Sequence, residues 1–342
     1  MCNYNHARYL PESLRAILDQ SCRPLEVIVI DDGSTDDSVE VIEELARQDP
    51  IIHLYRNEQN QGAWPSANRG LNLATGEYIY FAAADDRVCP GLFEKSMETL
   101  AQYPQAGLCS ALLQLIGEGG EDKGWIKSPV ISQTTCFLPP EKVLTTLTRY
   151  DFWITGHTTI CRRDVIIRET GGFLPELHHY ADHLVDMVVA LKCGACFIPE
   201  VLATWRVLDS GYAETHFNNA DLSRTVFEKI TQIMRSPKYA ALFPEKFMQM
   251  WEWRGRYGFE MRHFRRLLQN QIDFLERLRE LRPQPTLLDR AFFAALKLLT
   301  LATGLLVKAY LWHRRINWDF SRVARIWRSH SRYTQRTSAR QK

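Results

Sequence analysis

Apolar and polar positions along the first third of the chain follow two different periods. Leu10, Leu14, Ile17 and Leu18 recur at helical spacing and predict a turn followed by a helix within 5–20. Leu25-Glu-Val-Ile-Val-Ile30 is a β-branched run that stops at Asp31-Asp-Gly-Ser-Thr-Asp36, the signature of a buried parallel strand ending in a polar loop. A helix over 38–48 follows residues well suited to cap it, then a strand at 51–55 and a loop and helix over 62–74. A further strand at 76–81 again leads into acids, Asp85 and Asp86. Repeated strand–loop–helix units predict an α/β fold with a doubly wound, mostly parallel sheet. Ligands of such sheets bind beyond the carboxyl ends of the strands, where both acidic clusters fall.

The chain opens at Met1-Cys-Asn-Tyr4 in what reads as a loop, so the usual first strand of the sheet is expected to be missing. Later signals are a strand-like run at 107–116, a Gly/acid loop at 117–124, the turn Gly171-Gly-Phe173, a helix over 183–192 and the motif Thr204-Trp-Arg206. From Leu222 onward the pattern is helical. Three regions result: 1–210, a helical extension over 211–285, and 286–342, an apolar helix with a basic tail.

Composition changes this picture in one respect. With 342 residues, 45% hydrophobic and 24% charged, the chain is neither disordered nor a polytopic membrane protein. Its net charge of +2 averages two unlike parts. Residues 313–342 hold nine Lys or Arg and one acid, whereas 1–312 hold 33 basic and 39 acidic residues. The eight cysteines are too sparse for a disulfide scaffold, and the single pair Cys193/Cys196 lacks the partners of a zinc site. The opening residues show no leader, so a cytoplasmic, reducing setting is expected.

The acids carry the candidate chemistry. Asp31-Asp32-Gly33 reads as a turn and helix cap or as acceptors for a pyrimidine N–H and ribose hydroxyls. An aspartyl phosphatase is excluded because Ile30 stands where its nucleophile would be, and no dinucleotide-binding glycine motif is present. Asp85 and Asp86, after an apolar strand, suit Mg²⁺ or Mn²⁺ completed by substrate phosphates. Asp182 opens a helix and reads either as a helix-dipole partner or as a general base.

Taken together, Asn3-Tyr-Asn5, Glu26 to Asp36, Asn60-Gln-Gly62, Ala67-Asn-Arg-Gly-Leu71, Ala74 to Ile79, Asp85-Asp86, Arg162-Arg163, Gly171-Gly-Phe173 and Asp182 resemble the family 2 inverting glycosyltransferases of GT-A fold, over about residues 2–210. The resemblance implies a nucleotide-sugar site lined by Cys2, Tyr4, Asp31, Asp32, Asn68 and Asp85, a metal on Asp85 and Asp86, and Asp182 as catalytic base. The sequence departs from the family pattern at Ala83 and Ala181, where acids are usual. The implied reaction moves a sugar from a nucleoside diphosphate to a hydroxyl of a glycan or lipid-linked acceptor in cell-surface polysaccharide or glycolipid assembly. A catalytically silent nucleotide-sugar-binding or scaffold protein is the alternative.

Residues 291–312 carry two charges, Lys297 and Lys308, three helical turns apart beside a broad apolar face. Lysines at mid-bilayer cost about 2.5–3.5 kcal/mol each, which favours a helix lying in the interface over a span. The arginines that follow, from Arg322 to Arg340, recur every three or four residues and suit anionic lipid, with no nucleic-acid module beside them. Peripheral attachment to the inner membrane face is therefore expected.

Overall fold

The computed structural model describes residues 1–126, 128–150, 152–208 and 219–256, together with Ala294, Ala295, Leu298 and Ala302. The chain divides into two compact units, Met1–Pro244 with Arg328–Lys342, and Glu245–Trp327. The apolar helix and basic tail expected over 286–342 lie outside the described residues, apart from those four positions, which are helical. In the second unit residues 245–256 are also helical. Among the described residues no helix is long and apolar enough to cross a membrane.

The first unit begins with β1 (Cys2–Asn3), α1 (Leu10–Leu18), β2 (Val27–Asp31), α2 (Ser38–Gln48), β3 (Ile52–Arg56) and α3 (Ala63–Leu73). In α1, Leu10, Leu14 and Ile17 form one buried face, Pro11 sits in the first turn, and Glu12 favours the helix dipole there. The run Val27–Asp31 lies between β1 and β3 in a parallel sheet, which is why it is apolar at consecutive positions rather than alternate ones. Cys2 and Asn3, read from the sequence as loop, form a two-residue strand at the edge of this sheet. Cys2 and Asn3 pair with Ile30 and Asp31, and a two-residue strand is too short to show any period in the sequence.

The chain continues through β4 (Tyr78–Tyr80), β5 (Arg87–Val88), α4 (Leu92–Gln102), β6 (Leu108–Ile116), β7 (Asp122–Ile126), β8 (Cys136–Leu138) and α5 (Pro140–Tyr150). A single 3-10 turn at Gly156–Thr158 precedes β9 (Ile160–Arg162) and α6 (Arg163–Glu169). A second at Pro175–Tyr180 leads into α7 (Ala181–Cys193), β10 (Ala195–Arg206) and α8 (Ala220–Arg235). The second sheet runs β4-β9-β6-β10-β5 and is mixed, with β6 and β10 parallel and β9 antiparallel to both of its neighbours. A parallel bridge between Cys2 and Ala83 joins it to the first sheet.

The architecture is α/β, with a parallel three-stranded sheet and a mixed seven-stranded sheet whose central pair, β6 and β10, is parallel. Its core holds Leu10, Leu14, Leu108, Leu112, Trp153 and Phe197, all fully buried. Helix α8 packs on the Pro175–Tyr180 turn through buried Val226, Phe227, Ile230 and Met234. It therefore belongs to the first unit, which extends past residue 210 to Pro244.

Candidate active site

Asn3, Asp31, the Asp85–Asp86 loop and Arg206 lie at or just beyond the ends of β1, β2, β4 and β10. Asp31 is fully buried. Its Oδ1 accepts from Asn3 Nδ2 (2.8 Å) and Ser34 Oγ (2.6 Å), and its Oδ2 accepts from the Ser34 amide (3.1 Å). Asp32 accepts from Asn57 Nδ2 and the Gln61 amide on Oδ1, and from the Gly62 amide on Oδ2 at 2.8 Å. Asn5 braces the Asp31–Asp36 loop from the other side, its Oδ1 accepting from the Thr35 amide at 2.8 Å. Gly33 sits at φ +75°, and a Cβ there would stand 2.8 Å from the Gln59 backbone. Together these contacts fix the shape of the Asp31–Asp36 loop. Tyr4, in the segment that follows β1, is 42% exposed. Cys2 reaches the Ala63 carbonyl at 3.7 Å, and burial pushes its thiol up.

Asn68, expected to line the nucleotide-sugar site, is bonded to the backbone of a distant turn. Its Nδ2 donates to the Phe173 carbonyl and its Oδ1 accepts from the Phe173 amide, both at 2.8 Å. This two-way clamp holds Phe173 against Phe81 and Trp64. The adjoining Gly172 lies at φ +110°, and a Cβ on it would come within 2.5 Å of Asn68 Oδ1.

The second acidic loop is anchored by its backbone. The Ser13 hydroxyl lies 2.7 Å from the Ala84 carbonyl and 2.5 Å from that of Asp86. Asp86 is buried, with Oδ1 accepting from the Arg206 amide at 2.8 Å and Oδ2 lying 3.1 Å from His157 Nε2. His157 stacks on Trp205, with ring centroids 5.2 Å apart, and its carbonyl accepts from the Tyr80 hydroxyl at 2.9 Å. Asp85 keeps a carboxylate to which no described side chain donates. Burial, and next the charge of Asp86, push that carboxyl up to about 6, with His6 and His157 pulling the other way.

Asp182 lies in the first turn of α7, half-buried, its Oδ1 accepting from the His183 amide at 2.9 Å. A Cβ placed on Gly156 would stand 3.2 Å from Asp182 Oδ2. The Gly156–Thr158 turn therefore has Asp182 against its first residue and Asp86 bonded to its second. Thr158 ties this turn to β6 through Ser110 (3.1 Å) and the Ala111 amide (3.0 Å). One helical turn past Asp182, Asp186 is buried with an unbonded Oδ2; burial, then the Asp182 charge, hold its carboxyl well above the usual range. His157, Gly156 and Arg206 were not assigned from sequence. Their partners lie far away in the chain, and the one local signal was a Gly-His turn ahead of a strand.

Residues 1–167 match the family model described as Glycosyl transferase family 2. Over 235 residues the chain is 32% identical to the putative teichuronic acid biosynthesis glycosyltransferase TuaG of Bacillus subtilis, spanning 68% of this chain and 86% of that one. The chain belongs to glycosyl transferase family 2. Of three other relatives, uncharacterized glycosyltransferases from Escherichia coli and Haemophilus influenzae, it spans about half or less, 51%, 36% and 40% of their length. Two solved structures share its fold. Residues 1–349 of Staphylococcus aureus TarS, in complex with UDP-GlcNAc, align with a TM-score of 0.56 at 17% identity, covering 73% of this chain and 70% of that one. The mannosyltransferase PcManGT of Pyrobaculum calidifontis, in complex with GDP-Man and Mn²⁺, aligns at 0.55 and 19% identity, covering 97% and 85%.

All eight cysteines are free, including Cys193 and Cys196. Among the described residues no group of three or more His, Cys, Asp or Glu side chains is arranged to hold a metal ion. A cation that takes most of its ligands from water and phosphate needs one or two carboxylates. Asp85 fits that requirement, because its carboxylate accepts from no described side chain and sits beside a second acid. Asp86 fits it less well, since both of its oxygens already have protein partners.

Proposed function

We propose that this family 2 chain is an inverting glycosyltransferase that moves a sugar from a nucleoside diphosphate to an acceptor hydroxyl. The observation that carries this reading is the Gly156–Thr158 turn, with Asp182 at one residue and the Asp85–Asp86 loop bonded to the next. A base and a leaving-group site must flank one sugar, and this turn gives them a common wall.

In this mechanism Tyr4 and the Asp31–Asp32 loop hold the base and ribose. The acceptor hydroxyl donates to the Asp182 carboxylate and passes its proton there as its oxygen attacks the anomeric carbon. The bond to the diphosphate breaks on the opposite face, and the configuration inverts. Gly156 leaves the Asp182 carboxylate uncovered, where a larger residue would press on it. A divalent cation, Mg²⁺ or Mn²⁺, would be held by Asp85 with Asp86 behind it, and would neutralise charge on the departing diphosphate. The likeness to proteins bound to UDP-GlcNAc or GDP-Man with Mn²⁺ supports the donor class.

The acceptor we assign is a growing cell-surface polysaccharide or lipid-linked glycan, supported by the relation to a teichuronic acid glycosyltransferase. The apolar and basic pattern of 286–342 supports delivery to an anionic membrane surface, the inner face of the cell membrane.

The test is nucleoside diphosphate release from a panel of UDP- and GDP-sugars, with and without Mn²⁺, by the full chain and by Asp182→Asn. Release by the wild type that falls about 100- to 10,000-fold in Asp182→Asn is expected. Equal release by both proteins would remove Asp182 from the mechanism. No release by either would favour a silent nucleotide-sugar-binding protein.

A further inference from the structure

Arg206 closes β10, and its side chain is 3% exposed. Burying a guanidinium is costly unless its donors are used, and here they are. Nε donates to the Asp85 carbonyl at 2.9 Å, and Nη1 to the carbonyls of Glu118 (2.7 Å) and Gly117 (3.3 Å). Nη2 pairs with Glu12 Oε2 at 2.6 Å, and the guanidinium lies over the Tyr9 ring, 4.8 Å from its centroid. One side chain thus bonds three separate elements: helix α1, the acidic loop, and the turn between β6 and β7.

The backbone of the same segment completes the arrangement. The Arg206 amide holds Asp86 Oδ1, and the preceding Trp205 stacks on the histidine that holds Asp86 Oδ2. Two consecutive residues therefore determine where the Asp86 carboxylate points, and Arg206 also fixes the Asp85 carbonyl. A lysine could keep the charge but not the fork, because its three donors radiate from one nitrogen and cannot reach four acceptors spread around a planar guanidinium. If strand packing were the whole role, an apolar residue would serve at least as well.

We infer that Arg206 is a positioning residue for the donor site, holding the Asp85–Asp86 loop in the register that presents Asp85 to the diphosphate side of the nucleotide sugar. This rests on the glycosyltransferase reading above. Arg206 itself touches neither sugar nor phosphate in this scheme. Its effect reaches the reaction through Asp85, and a displacement of about 1 Å at such a group is enough to cost about 100-fold in rate.

The experiment compares the full chain with Arg206→Lys and Glu12→Gln. Three quantities are measured: hydrogen exchange of the amides of 84–88 and, as a control, of 27–31; UDP and GDP affinity with Mn²⁺ by calorimetry; and kcat and KM for the active donor. For Arg206→Lys, exchange at 84–88 rises while 27–31 stays protected, and kcat falls about 100-fold. Mn²⁺-dependent nucleotide affinity falls with it, and affinity without metal is unchanged. A general loss of structure would instead raise exchange in both segments. Should Arg206→Lys fail to fold, Glu12→Gln carries the test, because it removes one acceptor and leaves the arginine in place. It gives the same pattern, weaker.

Wild-type exchange at 84–88 and wild-type kcat in a folded Arg206→Lys protein would overturn the inference. A wild-type chain that binds and cleaves no donor would sink the functional reading instead. The exchange comparison would still decide whether Arg206 holds the loop.

Discussion

Asp31 and Asp32 end the parallel half of the sheet with every carboxylate oxygen accepting a hydrogen bond, whereas Asp85 faces the same end of the fold with no donor from a described side chain. The two sites look alike in sequence, an acid pair after an apolar strand. Physically they are opposites. The first pair is satisfied from within and shapes a loop, so in the proposed function it contributes to the frame around the nucleotide rather than a free ligand. The second pair leaves one carboxylate beside another, a repulsion that a bound cation would relieve. Bonding from other parts of the fold marks the acids that shape a loop, and a carboxylate without a side-chain donor is the better candidate for a ligand.

Substitutions can break this contrast or sharpen it. The largest effect is expected for Asp31→Ala, which takes away the acceptor of the Ser34 amide and hydroxyl and one of the two acceptors of Asn3 Nδ2. It should cost about 3 kcal/mol in urea unfolding, as expected for removing the centre of a buried polar network. A loss below about 0.5 kcal/mol, ordinary for an exposed residue, would erase the difference between the pairs. Asp85→Asn should behave in reverse. Stability stays within about 0.5 kcal/mol of wild type, while Mn²⁺-dependent UDP affinity measured by calorimetry drops about tenfold or more.

The smallest effect concerns Asp186, one helical turn past Asp182. Burial raises its folded pKa above the ~3.9 of an unfolded aspartate, so the folded chain keeps a proton that the unfolded chain gives up. The stability it allows is full below the unfolded value and is lost as pH rises towards the folded one. Asp186→Asn removes that loss. Its melting temperature relative to wild type should climb between pH 4 and pH 8, and a flat difference would show that Asp186 does not hold its proton in the fold.

Much of this was legible in the sequence because it is local. The run ending at Asp31 declared β2, and the acids after β4 declared the second loop, since burial on both faces leaves a continuous apolar stretch. The candidate base was placed in the first turn of a helix, where the structure has it. What escaped is non-local. Strand β1 exists through its pairing with Ile30 and Asp31 and has no length in which to show a period. Asn68 reads as a polar helix residue, yet its partner is the backbone of Phe173, 105 positions away. Arg206 reads as a charge at a strand end, although its bonds reach back to Glu12. Charge and periodicity say what a residue is, while such roles depend on what the fold carries to it.

The clamp at Phe173 has a consequence for how this corner can vary. Asn68 needs an amide, because donor and acceptor are both in use, and Gly172 must stay bare because the amide occupies the space a Cβ would take. A side chain at 172 is excluded while Asn68 stands. Replacing Asn68 alone strands two main-chain groups without making the left-handed backbone at 172 any more welcoming to another residue. The pair is therefore epistatic: relatives that solve this corner differently are expected to differ at both positions together, and a survey of single substitutions would score each as intolerant without revealing that they share one cause.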